Sequence, residues 1–519
     1  MLTEIQLTFS PEQSDNHNFI KHKVASTLNI PQDDIVNVQI VKKSIDARGR
    51  YPLILIKLRV FIGEVPQYQY ENPLKYENVS GKQEVIIAGG GPAGLFAALR
   101  LIELGFCPIV LERGKDIHER KKNIAQLNKN QSFNEDSNYC FGEGGAGTFS
   151  DGKLFSRSKK RGNTQRIIEI FHYHGAADEI LYEAHPHIGT DKLPIIIENI
   201  RKTITGCGGK VIFNAKVIDL LINSNQIEGI KTADNNIYWS KNVILATGHS
   251  ARDIYQLLQN KNIALQQKGF AVGVRVEHRQ ELIDEIQYNG YKTNYLPAAV
   301  YNLVSQVDGR GVYSFCMCPG GIIVPAATAA NQVVVNGMSS SKRNSPYANS
   351  GIVTEICPGD LTEYQKFGEL AGLHFQQDLE NLAFNNNGGT LQTAPAQRLS
   401  DFVRSKLSAD LPDCSYLPNI ISSPLHFWLP DFVSRRLQEG FKQFNKKMKG
   451  FLTSEAVILG VESRTSSPIR IPRNDETLQH IQIQGLYPCG EGAGYSGGIT
   501  SSAIDGERVA EKIEINSRL

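Results

Sequence analysis

The chain has no surplus of either charge. Lys and Arg number 55 against 53 Asp and Glu, a net of +2 over 519 residues, so no long-range field draws in nucleic acid or an anionic membrane. No run approaches the roughly 20 apolar residues that a membrane helix needs. The opening MLTEIQLTFS carries an acid at Glu4 and no apolar segment behind a basic one, which does not read as a secretory signal. None of the eight cysteines is spaced C-x-x-C, which removes that kind of redox dithiol and the zinc knuckle. These absences lead to the expectation of a cytoplasmic protein with reduced thiols, no metal and no membrane partner. What remains is 41% hydrophobic residues, enough for the cores of two or three domains.

Residues 1–75 read as a separate small unit. TEIQLTF alternates like a strand, NFIKHKVASTLNI has helical spacing, and DIVNVQIVKKS and YPLILIKLRVFI are two more strands. Lys42, Lys43, Arg48 and Arg50 suggest an RNA-binding face, but residues 1–74 hold eight basic and eight acidic residues, and the solvated-surface reading prevails. PQYQYENPLKYENVSGKQ follows as a polar linker.

EVIIAGGGPAGLFAALRLIELGFCPIVLER is an apolar strand, a glycine turn, an amphipathic helix and a second strand. Gly89 permits a tight turn, Gly91 lets backbone approach a pyrophosphate, and Gly94 lets helix and strand pack closely. The helix start at Pro92 and Ala93 offers free N–H groups to phosphates. Glu112, followed by Arg113, ends the second strand where a carboxylate accepts ribose hydroxyls and disfavours a 2′-phosphate. The ligand is therefore FAD or NAD rather than NADP.

A second G-x-G-x-x-G occurs in FGEGGAGTFSDGKL, at Gly142, Gly144 and Gly147. Polar NEDSNYCF precedes it and polar, basic TFSDGKLFSRSKKRGN follows, so neither the apolar strand nor the acid-ended strand of a second nucleotide fold is present. These glycines instead let backbone lie flat against the same cofactor. Gly145, Gly147, Thr148, Ser150 and Lys153 are the expected contacts.

Near the end, IQGLYPCGEGAGYSGGITSSAIDGERVAEKI gives a short strand, Gly490 and Glu491, and a helix from about Gly498 and Ile499. This resembles the C-terminal flavin motif of the glutathione-reductase-like FAD superfamily, normally Gly-Asp, with Glu491 one methylene longer. NVILATGHSARD follows a three-strand meander that contains Val217. In that superfamily the strand equivalent to Ala246, Thr247 and Gly248 passes close to FAD. The chain from Gly89 to Gly506 resembles the bacterial FAD-dependent dehydrogenases of uncharacterised substrate, in the fumarate-reductase-like and aminoacetone-oxidase-like branch. AHPHIGTDKL, VYSFCMCPGG, NGMSSSKRNSPYANSG, TAPAQRLSDF and GVESRTSSPIRIPR add to the match.

The resemblance implies an α/β fold: a Rossmann-like FAD-binding domain with an inserted, mainly antiparallel α+β substrate domain and the small N-terminal βαββ domain. The expected divisions are 1–75, 82–252 and 459–519 around an insert of 253–458, with a helical segment from Leu361 to Lys449. The insert roofs a non-covalently bound FAD, and NAD(P)H is at most a visiting reductant.

Four residues are candidates for catalysis, each with a second reading. His185 and His187 in YEAHPHIGTDKL can orient a carboxylate or move a proton, or can form a polar turn before the helix near Leu193. Cys316 and Cys318 fall on one face if SFCMC is a strand, and Cys318 is either a reactive thiol or a buried one. Arg464 clamps a substrate carboxylate or pairs with Glu462. Arg398 ranks below these. The expected activity is hydride transfer between flavin and a small or medium organic substrate. The rival readings are an RNA-modifying flavoprotein that docks through the βαββ unit and a flavin-bound scaffold without catalysis.

Overall fold

The computed structural model describes residues 1–65, 74–130, 132–155, 162–389 and 391–518. Residues 66–73 of the expected linker and 156–161 of the basic segment lie outside these.

Strands Leu2–Phe9, Ile35–Asp46 and Leu53–Ile62 form an antiparallel sheet with the third strand central. Alternate residues Ile54, Ile56, Leu58 and Val60 point inward and close on Ile20 and Val24 of the helix His17–Leu28. Asn16 caps that helix through the Phe19 N–H. The unit is tied to the rest where Lys43 exchanges backbone hydrogen bonds with Tyr182 and Ala184, both at 2.9 Å, and where Asn289 and Tyr291 donate to the Gly49 carbonyl and to Glu12, both at 2.9 Å.

Five parallel strands form the central sheet, in the order Leu486–Pro488, Val243–Leu245, Glu84–Ala88, Cys107–Leu111, Lys210–Ile212. Its first crossover is the helix Pro92–Glu103, nine of whose twelve residues are buried. The C-terminal helix Ile499–Arg518 lies along it, and small residues allow the approach: a Cβ at Gly506 would overlap the Ala93 carbonyl oxygen. The meander Val217–Asn223, Gln226–Thr232, Ile237–Trp239 packs nearby with the helix Arg252–Asn260 through Leu220, Ile230, Ile254 and Leu258.

The other lobe is a seven-stranded sheet in the order Val304–Val307, Arg310–Cys318, Tyr347–Ile356, Phe270–Arg279, Val457–Glu462, Ala394–Arg398, Ile420–Ser422. All its pairings are antiparallel except the last. The helices Ala371–Asn385 and Asp431–Lys447 share its core. Two expectations are corrected. The segment Leu361–Lys449 is not wholly helical, because the buried strand APAQR is recruited to the sheet by its neighbour Val457–Glu462. That neighbour also straddles the expected division after residue 458, while the helix Arg252–Asn260 packs with the meander.

Candidate active site

A cleft runs from the glycine turn at the carboxyl ends of the parallel strands to the face of the large sheet. It encloses ≈ 1360 Å³ of empty space, its open mouth included, ample for an organic cofactor. Gly89, Gly91, Pro92, Ala93, Glu112 and Arg113 line one end, with Val217 from the meander. Gly145, Gly147, Ala246, Thr247 and Gly248 line its middle, and Glu491, Gly498 and Ile499 the other end. The large sheet adds Phe315 and Cys316, the two-stranded ribbon of Gly321–Pro325 and Val335–Ser339 adds Asn336, and the loop after Val457–Glu462 adds Arg464.

The helix Pro92–Glu103 starts at Gly91, and no side chain caps it. Its first amides and positive dipole end therefore face the cleft available to an anion. Gly89 has φ 111°, and a Cβ there would overlap the Ala246 carbonyl oxygen. Gly94 is not in the cleft wall; a Cβ on it would overlap the Gly89 carbonyl oxygen, so it sets the packing of helix on strand.

Glu112 does more than face a ligand. Its carboxylate accepts the backbone N–H of Gly90 (2.8 Å), Gly114 (2.9 Å) and Gly142 (3.0 Å), and so joins the first glycine turn to the second glycine loop. Behind that loop Arg120 is fully buried. Its guanidinium donates to the carbonyls of Asn138, Tyr139, Gly142, Glu143 and Gly145 at 2.7–3.2 Å, and burial pushes its pKa down to about 10. The loop is thus a scaffolded part of one site, not a second nucleotide fold.

Two of the loop's expected contacts are corrected. Thr148 is fully buried and donates to the Glu143 carbonyl at 2.9 Å. Lys153 points away from the cleft lining, to the Met317 carbonyl. Gly490 lies behind the wall, its N–H donating to Asp505 at 2.8 Å. Asp505 in turn receives both Nη atoms of Arg473, at 2.6 and 3.0 Å, and this buried pair anchors the final strand to the C-terminal helix.

Burial pushes the Glu491 carboxyl up to about 7, with Lys268 opposing. Its neighbour across 3.7 Å is Nδ1 of His249, another cleft residue, which burial, Arg464 and Arg252 push down to about 4. Both shifts favour the uncharged form of their group. Ser250 Oγ, in the same wall, is buried without a hydrogen-bond partner among the described residues.

The four catalytic candidates are not brought together. His185 is exposed and meets the Phe155 ring edge-on at 4.6 Å. His187 donates from Nε2 to the Ser341 carbonyl at 3.1 Å. Neither lines the cleft, because backbone pairing of Lys153 with His187 turns their segment toward Asp151 and Arg343. Cys318 is fully buried, and it is Cys316 that reaches the cleft. Arg464 lines the cleft but pairs with Glu380, not Glu462, which is bonded instead to Arg275 at 2.8 Å. Arg398 pairs with Asp410 at 3.0 Å, outside the site. The sequence reading missed His249, Phe315, Cys316 as the lining thiol, and Asn336. The position of His249 directly after Thr247-Gly248 was the one signal available for it.

A family profile described as FAD-dependent protein, C-terminal domain-like, matches residues 269–465, and one for a domain of unknown function matches residues 1–61. An uncharacterized protein of Clostridium beijerinckii is 40% identical across 96% of each chain. Among solved structures, L-proline dehydrogenase from P. horikoshii aligns with 84% of this chain and 94% of its own at 14% identity and TM-score 0.35. Glycine oxidase from Bacillus cereus aligns with 84% and 96% at 13% identity and TM-score 0.31. Likenesses this loose carry no information about the reaction.

Proposed function

This chain belongs to the same family as the Clostridium beijerinckii protein, and we propose that it is an FAD-dependent oxidoreductase acting on a small organic substrate. The observation that carries the reading is one continuous cleft with an uncapped helix start at one end and a half-buried carboxyl of raised pKa at the other. FAD fits these residues. The amides after Gly91 would take the pyrophosphate, Glu112 has about one carboxylate lone pair left for a ribose hydroxyl, and Ser250 Oγ, which has no partner among the described residues, would gain one.

When bound, the flavin supplies a hydride donor and acceptor. The chain supplies the rest. Gly145 and Gly147 would let the second loop lie close to the cofactor, and the start of the C-terminal helix at Ile499 brings a positive dipole end to the cleft. Proton handling falls to Glu491 and His249, which line the cleft, rather than to His185 and His187. Arg464, with its guanidinium held by Glu380, contributes fixed positive charge to the roof. NADH or NADPH acts as a visiting reductant, and no covalent attachment to the chain is involved.

The test is direct. Purified protein should be yellow, and heat denaturation should release a compound with the mass and chromatographic retention of FAD. Anaerobic mixing with NADH or NADPH should bleach it. A colourless protein that takes up no added FAD overturns the proposal.

A further inference from the structure

The segment Cys316-Met317-Cys318 has a shape that a regular strand does not. Strand Arg310–Cys318 follows Tyr347–Ile356 in register as far as Phe315, opposite Gly351, and resumes at Cys318, opposite Asn349. One extra residue is taken up in a bulge. Cys316 adopts φ 45° to make it, a conformation in which glycine would be free of strain. Two cations hold the bulge: Arg275 Nη2 donates to the Cys316 carbonyl at 2.8 Å, and Lys153 Nζ donates to the Met317 carbonyl.

The bulge decides how the two sulfurs meet. In a regular strand residues two apart stand about 6.7 Å apart at Cα, the outer limit for a disulfide. Here the chain folds tightly enough that the Cys318 thiol turns back onto its neighbour and donates to the Cys316 carbonyl at 3.3 Å. Cys316 lines the cleft, while Cys318 is fully buried behind it with Arg275 Nη2 at 3.6 Å from its sulfur. The adjacent Cys318 side chain, aided by Lys153 and Arg275 against burial, holds Cys316 well below the ordinary thiol value. The Cys316 side chain and burial push Cys318 up. One sulfur is accessible and activated, and the other is sequestered and protonated, as attacking and resolving thiols are.

We propose that Cys316 and Cys318 are a redox-active pair that closes to an intramolecular disulfide and exchanges two electrons with the flavin beside it. This rests on the FAD reading above. Counted from both thiols protonated, two S–H bonds break, one S–S bond forms, and two electrons and two protons pass to oxidised flavin; the reverse transfer reopens the pair. The couple lets the site store a second two-electron equivalent per flavin.

The test is an anaerobic dithionite titration of air-oxidised, FAD-loaded protein, with samples quenched in denaturant and iodoacetamide. Trypsin releases residues 311–342 as one peptide, bounded by Arg310 and Lys342, with Cys316 and Cys318 as its only cysteines. The expected result is uptake of about four electrons per flavin. The peptide should pass from no label, at a mass about 2 Da below the dithiol, to two labels. Cys316→Ser and Cys318→Ser should each reduce the uptake to about two electrons per flavin. Uptake of two electrons by the wild type, with both labels present throughout, overturns the proposal; this readout needs no variant to fold. Failure of the FAD reading is seen separately, as absence of the flavin band. In that event electron exchange with flavin falls too, and the peptide mass after diamide treatment decides whether the disulfide alone exists.

Discussion

Arg464 and Glu380 form a buried bidentate pair, Nε to Oε1 at 3.0 Å and Nη2 to Oε2 at 2.9 Å, between the edge of the cleft and the helix Ala371–Asn385. Arg252 adds a third contact to the same carboxylate at 2.7 Å. Burial alone would raise the Glu380 pKa, but the two arginines outweigh it and bring it from 4.5 to about 2. A carboxyl depressed in the fold contributes stability that is complete above its unfolded value and is lost as pH falls toward about 2; at about 1.4 kcal/mol per unit this amounts to roughly 3 kcal/mol. Glu380→Gln should therefore lose about 3 kcal/mol at pH 7, since it strands two buried guanidiniums. Its urea midpoint should also change less than that of the wild type between pH 5 and 3.

Glu112 predicts a different outcome, because its removal frees backbone rather than charge. Glu112→Ala leaves the N–H groups of Gly90, Gly114 and Gly142 without their acceptor. At about 1–3 kcal/mol for each of the three unsatisfied buried donors, a loss of at least about 3 kcal/mol is expected. Both glycine loops loosen together, so FAD affinity should fall at least tenfold. Equilibrium unfolding and flavin fluorescence titration measure the two effects.

In Gly506→Ala two effects compete. Helix propensity favours alanine by about 1 kcal/mol in a helix interior. The added methyl, however, would overlap the Ala93 carbonyl oxygen of the neighbouring helix, and backbone cannot swing aside. Overpacking of this kind costs about 1–3 kcal/mol, so the contact should prevail and the variant should melt lower than the wild type. An unchanged or higher melting temperature would show that the two helices are not so close.

Glu491 should reverse the usual pH dependence of a carboxyl. Its value is raised from 4.5 to about 7 by burial. The unfolded chain ionises first, so stability falls as pH rises from about 4.5 to 7 and then levels off. Glu491→Gln, measured without added flavin, should match the wild type near pH 4 and exceed it by roughly 3 kcal/mol at pH 8. Equal pH profiles for the two proteins would contradict a raised pKa at Glu491.

Much of the cofactor end was legible from local signals. Gly89, Gly91, Gly94 and Glu112 are constrained within about two dozen residues of chain, where turn geometry and strand length dictate residue type. The alternation in Leu53–Ile62 and the continuous apolar run from Val85 to Ala88 announced a half-buried strand and a strand buried on both faces in the same way. The reaction end was less legible. His185 and His187 carried the right chemistry, but a backbone pairing with Lys153 turns them from the cleft. Cys318 and Cys316 looked equivalent until one extra residue in the pairing separated them.

The sequence by itself determined the parallel nucleotide sheet, the N-terminal sheet and helix, and the glycine turn with its terminal acid, because each depends on periodicity or on spacing along a short stretch. Only the tertiary structure decided that Glu380 rather than Glu462 meets Arg464, that Asp505 anchors Gly490, and that Cys316 rather than Cys318 faces the cleft. Those pairings join residues 84 and 15 positions apart, or turn on a single inserted residue. Electrostatic and steric complementarity acts through space, and periodicity along the chain does not encode it.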